Sequence, residues 1–186
     1  MKITLLGNCQ TKALSWYVEQ LDQSVDVQWI CIEKFLPEWG SQTEFQGKPI
    51  NVITDVQEGI KRLQSSDYVI FQHIQIDTSD NYNTDQLKKH VTRGKLISIS
   101  SMFYDPTDPD QILFNGMIER AEKFNIDIPA HKLIEKYGSK ITMQLKNHPN
   151  VFYFLELIRE ICIKTGLNYY SDEQHNQYLK EGYPFG

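Results

Sequence analysis

The sequence predicts an α/β fold: a mainly parallel sheet with helices on both faces, in a three-layer arrangement. Three observations lead there. Short apolar runs such as Tyr68-Val69-Ile70-Phe71 alternate with segments of helical period, which is the pattern of strand–helix–strand units. The first run ends in Gly7 and passes at once into a helix-period segment, the strand–turn–helix start of such folds. The chain has 186 residues, 40% hydrophobic and 23% charged, which suits one globular domain with a real core.

In chain order, residues 3–6 are a short apolar run closed by Gly7 and read as a buried strand. Leu14, Tyr17, Val18 and Leu21 repeat at helical spacing, so a helix is expected over residues 10–21. Residues 25–32 read as a second strand. Residues 33–48 carry Pro37, Gly40 and Gly47 and read as a long connection, a place for a lid or substrate loop. A helix is expected over residues 55–64, capped by Thr54 or Asp55, and a compact strand over residues 68–71. Thr84 opens a helix through His90, with Gly94 as its stop, and residues 95–100 form another strand. A polar loop with prolines covers residues 101–109. Helices follow over residues 110–124, 130–137 and 149–165. From about residue 168 the tail is aromatic and polar and reads as irregular. The whole of 1–186 is taken as a single α/β domain, without repeats or linkers.

Composition narrows the function. The net charge is -5, with no long basic run, which argues against nucleic acid as the main ligand. No apolar stretch approaches a membrane span, and the N-terminus enters a strand without a signal-peptide core, so a cytoplasmic protein is expected. The three cysteines, Cys9, Cys31 and Cys162, form neither a disulfide framework nor a zinc spacing. Cys31 and Cys162 lie in apolar segments and read as inert core thiols. No histidine has metal-ligand spacing to a cysteine or carboxylate, so no metal is expected. No Walker motif or Gly-x-Gly-x-x-Gly fingerprint follows any strand.

In parallel sheets, ligands bind beyond the carboxyl ends of the strands. That rule selects Gly7-Asn8-Cys9-Gln10, Gln72-His73, Ser100-Ser101 and Asn147-His148. Cys9 would sit at a helix N-terminus, where unpaired N–H groups and the helix dipole favour the nucleophilic thiolate. Gly7 permits a tight turn, and the following N–H groups suit an oxyanion or a phosphate. Asn8 and Gln10 add side-chain donors. The competing reading is that Asn8 only caps the helix and Cys9 is a small buried residue.

His148 precedes Pro149, and proline starts a helix comfortably at its first position. His148 would then fall at or near the N-cap, as a general base for a hydroxyl or thiol, or simply as a capping or surface histidine. Gln72 and His73 follow a buried strand and point to the same ligand edge, Gln72 as an oxyanion donor; a structural histidine is the competing reading. His90, His131 and His175 have no persuasive context. Ser101, Phe103 and Tyr104 resemble a binding loop whose aromatic rings could flank a pantetheine arm or a sugar face. Asp105, Asp108 and Asp110 are candidates to orient a histidine. Lys12, one turn into the first helix, could meet cofactor phosphates; a solvated surface lysine is the plainer reading.

Two family resemblances rest on these residues. The layout resembles the SGNH/GDSL hydrolases, with Gly7-Asn8-Cys9 standing where their Gly-Asp-Ser stands and His148-Pro149-Asn150 matching their late motif. Cysteine replaces serine, and Leu145 occupies the place of their acid, which departs from the usual triad. The chain more closely resembles the WcbI-like polysaccharide-biosynthesis family of coenzyme A-binding acetyltransferases, through Leu5-Leu6-Gly7-Asn8-Cys9-Gln10 at the extreme N-terminus and the late His-Pro. That resemblance implies acyl transfer from coenzyme A or acetyl-coenzyme A to a sugar hydroxyl of a surface polysaccharide such as a capsule, or of its precursor. Catalysis would fall to Cys9 and His148. Gly7, Asn8, Gln10, Lys12, Gln72, His73, Ser101, Phe103 and Tyr104 would shape the cofactor site. A cysteine-type ester or thioester hydrolase and a non-catalytic coenzyme A- or glycan-binding module are the alternatives. The acceptor sugar, the acyl group and the oligomeric state stay open.

Overall fold

The computed structural model describes residues 1–31, 44–45, 48–49, 51–53, 55–74, 84–102, 111–145 and 148–181. The chain falls into two compact units, Met1–Ser98 and Ile99–Gly186. The expected lid at 33–48 lies almost wholly outside the described residues, and the loop at 101–109 is described only through Met102.

The first unit is built on a five-stranded parallel sheet, as the sequence predicts. Its strands are β1 (Lys2–Gly7), β2 (Asp26–Cys31), β5 (Val52–Ile53), β6 (Tyr68–Gln72) and β7 (Lys95–Ile99). They lie in the order β5-β2-β1-β6-β7. β1 sits between β2 and β6, with Leu6 opposite Ile30 on one side and Phe71 on the other. Ile3, Leu5 and Leu6 have no exposed surface, which explains why this strand is a continuous apolar run rather than an alternating one. β5 was not visible in the sequence, because two residues carry no period. Glu44–Phe45 (β3) and Lys48–Pro49 (β4) form a separate antiparallel pair.

Two helices cover opposite faces. α1 (Cys9–Leu21) is tied to the face bearing Trp29, whose indole N–H donates to Thr11 Oγ1 at 3.0 Å. α2 (Val56–Ser65) covers the other face, where Leu63 packs with Leu6, Ile30, Ile53, Val69 and Phe71. Asp55 caps α2, its carboxylate accepting from Glu58 N–H at 2.8 Å. Arg62 on α2 is buried and donates to Thr4 Oγ1, to the carbonyls of Ile3 and Asp26, and to the Asp26 carboxylate. This satisfies the ends of β1 and β2 with one planar cation. The stretch that starts at Thr84 is a short helix, α3 (Thr84–Leu87), continued by a 3-10 turn over Lys88–His90.

The second unit holds α4 (Ile112–Phe124), α5 (Ala130–Tyr137), α6 (Val151–Thr165) and α7 (Asp172–Glu181), with a small antiparallel pair of β8 (Met143–Leu145) and β9 (His148–Pro149). α4 ends at Asn125 and α6 at Gly166, both in the left-handed conformation. The tail expected to be irregular contains α7 instead. Tyr169 Oη lies 2.7 Å from His175 Nδ1, and Tyr170 stacks edge-on against Tyr178 at 5.0 Å. These rings supply the apolar anchor that a polar ten-residue helix lacks in its own sequence.

The start of α6 corrects the sequence reading. The N-cap is Asn150, not His148, and His148-Pro149 pairs as a strand with Met143 and Leu145. Asparagine is the stronger cap, and the residue before a proline prefers extended backbone, so His148 is drawn into β9. Asn150 Oδ1 accepts from Tyr153 N–H at 3.2 Å, while its Nδ2 donates to Lys140 O at 2.8 Å and Thr142 Oγ1 at 3.0 Å. Asn150→Ala removes all three bonds. It is expected to lower unfolding free energy in urea by about 1–2 kcal/mol.

Candidate functional site

The carboxyl edge of the first unit's sheet carries the candidate site. β1 ends at Gly7, and Asn8 turns the chain into α1. Asn8 is the N-cap, its Oδ1 accepting from Gln10 N–H at 3.0 Å. Cys9 is therefore the first residue of the helix, and it is half-buried. The capping role of Asn8 and the functional reading of Cys9 are compatible, since capping is what sets the thiol at the helix mouth.

Gln72, at the end of β6, clamps this turn. Its Oε1 accepts from Asn8 N–H at 3.2 Å, and its Nε2 donates to Gln10 Oε1 at 3.1 Å. Gln72 is 1% exposed and Gln10 5%. From sequence, Gln72 reads as an oxyanion donor; in the structure its amide is committed to the backbone and side chain of the turn. Gly7 leaves no room for a side chain. A Cβ there would stand 2.5 Å from Gln72 Oε1 and 2.8 Å from Thr11 Cγ2. Thr11 is itself fixed, its hydroxyl donating to Asn8 O at 2.7 Å and accepting from Trp29. Lys12 is 4% exposed, so it is not a solvated surface lysine.

His73 follows Gln72 and is also buried. Its Nδ1 lies 3.3 Å from Asp85 Oδ1, and Lys88 Nζ lies 2.6 Å from the same oxygen. Burial alone would raise the Asp85 pKa, but the Lys88 hydrogen bond and the charges of Lys88 and His73 outweigh it and hold the carboxyl below its ordinary value. Asp85 was not singled out from the sequence. The signal was there in Thr84, read as a helix start, whose next residue belongs to the first turn. The acids that were singled out, Asp105, Asp108 and Asp110, lie outside the described residues, as do Phe103 and Tyr104.

The remaining candidates belong to the second unit. Ser101 is half-buried. His148 lies in β9 opposite Leu145. His131 is buried in α5, and burial lowers its pKa. Cys162 is buried in α6, and burial pushes its thiol up to about 11, which keeps it protonated and unreactive. Among the described residues, no group of three or more His, Cys, Asp and Glu is placed to hold a metal ion. No helix among them is long and apolar enough to cross a membrane.

The first unit is thus a parallel α/β structure with a cysteine at the head of its first helix. Neither a family model nor a curated protein matches the chain. A solved structure shares the fold: that of WcbI, described as a novel polysaccharide biosynthesis enzyme, in a native form without a disulfide bond between coenzyme A and one of its cysteines. The likeness covers 90% of this chain and 70% of that one, with a TM-score of 0.55 and 12% sequence identity. At that identity the likeness is one of fold.

Proposed function

We propose that this protein is a coenzyme A-dependent acyltransferase, moving an acetyl or other acyl group from acyl-coenzyme A to a hydroxyl of a surface polysaccharide or its sugar precursor. One observation carries the proposal: Cys9 heads α1 at the carboxyl end of β1, in a turn clamped on both sides by Gln72. A thiol so placed has helix N–H groups beside it for a developing oxyanion. The WcbI neighbour, whose description names coenzyme A and polysaccharide biosynthesis, supports the choice of donor and pathway class.

In this reading Cys9 loses its proton to a histidine and attacks the thioester carbonyl. The bond to the coenzyme A sulfur breaks, and that sulfur takes the proton back. The acceptor hydroxyl then gives its proton to the same histidine and attacks the acyl-cysteine, releasing Cys9. His148 is the base suggested by the late His-Pro-Asn motif. Gly7, Asn8, Gln10 and Lys12 shape the donor site, while Gln72 acts by holding the turn.

The test is a thermal-shift series against coenzyme A, acetyl-coenzyme A and nucleotide sugars, followed by mass spectrometry of the protein mixed with acetyl-coenzyme A. Ligand at a hundredfold excess over Kd stabilises by about 2.7 kcal/mol, enough for a clear rise in Tm. A Tm rise with both coenzyme A forms and an acetyl group on the Cys9 peptide are expected. No shift with either form removes the proposal.

A further inference from the structure

We propose that the cleft between α4 and α5 is a binding site for a sugar ring that carries hydroxyl or amino groups and no anionic group. The inference is independent of the reading of Cys9.

The cleft is built wholly from the second unit. It measures about 330 Å³, at the lower end of the range for small-molecule sites. One wall comes from the C-terminal half of α4 and its cap, the other from the start of α5. Helical spacing explains the walls. Ile118, Ala121, Glu122 and Asn125 stand three or four positions apart along α4 and its cap, so they share one stripe. His131 and Glu135, four apart, share one stripe of α5.

The lining changes from apolar to polar with exposure. Ala121 is buried, and Ile118, Ile126 and Pro129 are half-buried. Glu122, Asn125, Lys132 and Glu135 are exposed and form the rim. An apolar base under a polar rim suits a molecule with an apolar face and a polar edge. A sugar ring has this build, with C–H groups on its face and hydroxyls around its edge.

The rim decides the charge of the ligand. Two carboxylates, Glu122 and Glu135, stand against the single ammonium of Lys132, which leaves one net negative charge. Lys132 Nζ is already 3.2 Å from Glu135 Oε2. Carboxylates accept hydrogen bonds and do not donate them, so the ligand must bring donors. Hydroxyl and ammonium groups bring them. A phosphate or a carboxylate brings none and is repelled.

His131 adds a second, independent observation. It lines the cleft, is 6% exposed, and its Nδ1 has no hydrogen-bond partner among the described residues. An unpaired buried polar atom costs stability, and a phenylalanine would fill the same place without that cost. Burial lowers the imidazole pKa, and the charge of Lys132 adds to this. The carboxylates of Glu135 and Glu122 pull the other way without offsetting burial. The ring is therefore neutral at pH 7, with one nitrogen to donate and one to accept. A sugar hydroxyl, which both donates and accepts, matches it.

The test follows the backbone amide NMR signals of the intact, isotope-labelled protein. Methyl glucoside, glucosamine, glucuronate and glucose phosphate are titrated in separately. Methyl glucoside and glucosamine are expected to shift signals of residues 118–135 saturably, and the two anionic sugars to leave them in place at the same concentration. Glu122→Gln keeps the shape and removes the charge. It should weaken glucosamine by about two- to fivefold and methyl glucoside less. His131→Phe should weaken both by about tenfold. If His131→Phe does not fold, the split between the two sugars in Glu122→Gln decides. No shift within residues 118–135, anionic sugars that bind as tightly as the others, or an unchanged glucosamine Kd in Glu122→Gln overturns the assignment. Cys9→Ala should give the same titration as wild type. Coenzyme A binding without the hairpin shifts sinks this inference alone, and hairpin shifts without coenzyme A binding sink the transferase reading alone.

Discussion

Replacing Cys9 with alanine is expected to abolish acyl transfer while leaving coenzyme A binding intact. Removal of an attacking atom typically costs at least about a thousandfold in kcat. The fold should tolerate the change, because Cys9 is half-buried and the turn around it is held by hydrogen bonds of Asn8, Gln10, Thr11 and Gln72. The expected result is thus an unchanged Tm, a coenzyme A shift like that of wild type, and no acetyl adduct. Cys9→Ser should sit between the two, since its hydroxyl occupies the same place but is a far weaker nucleophile without a strong base. Full turnover by Cys9→Ala would mean that the acceptor hydroxyl attacks acyl-coenzyme A directly. Cys9 would then only shape the oxyanion site. Acid released at full rate without any sugar acceptor would instead favour a hydrolase.

The parts of this fold that were legible in the sequence are those with a period. β1, β6, α1 and α2 announce themselves through apolar runs and helical spacing, and Asp55 through its capping chemistry. What was not legible has a common cause, which is long-range partners. Val52–Ile53 becomes a strand only because Trp29 and Ile30 lie beside it. α7 has an almost wholly polar sequence and is anchored by Tyr170 and by the Tyr169–His175 contact. At the site, the sequence placed Cys9 and Gln72 at strand ends on one edge, but not the hydrogen bonds that tie Gln72 to Asn8 and Gln10, which span 64 and 62 positions. Asp85 was hidden for the same reason: it lies beside His73 where Thr84 bonds to Ile74, an approach that no local pattern announces. His148 went astray locally, because Asn150 outcompetes it as a cap and Pro149 favours extended backbone before it.

Gly7 carries the second large expectation, and it is steric. Its φ is not positive, so conformational freedom is not why glycine is required. Space is the reason. An alanine Cβ would meet Gln72 Oε1 at 2.5 Å and Thr11 at 2.8 and 2.9 Å. Neither neighbour can step aside cheaply. Gln72 is bonded at both ends of its amide, and Thr11 Oγ1 both donates to Asn8 O and accepts from Trp29 Nε1. Overpacking of this kind costs roughly 1–3 kcal/mol, and each displaced hydrogen bond adds about 1 kcal/mol. Gly7→Ala is therefore expected to lower urea stability by about 3 kcal/mol and to disturb the turn that presents Cys9. The double variant Gly7→Ala with Gln72→Ala supplies the mechanism. Gln72→Ala alone should destabilise, since it leaves Asn8 N–H and Gln10 Oε1 without that partner. In the double variant the clash with Oε1 is gone, so its cost should fall short of the sum of the singles by about 1 kcal/mol or more. Additive costs would show that the Gln72 amide does not crowd Gly7. A Gly7→Ala effect below about 0.5 kcal/mol, the range of an ordinary surface change, would show that the turn is not packed in this way.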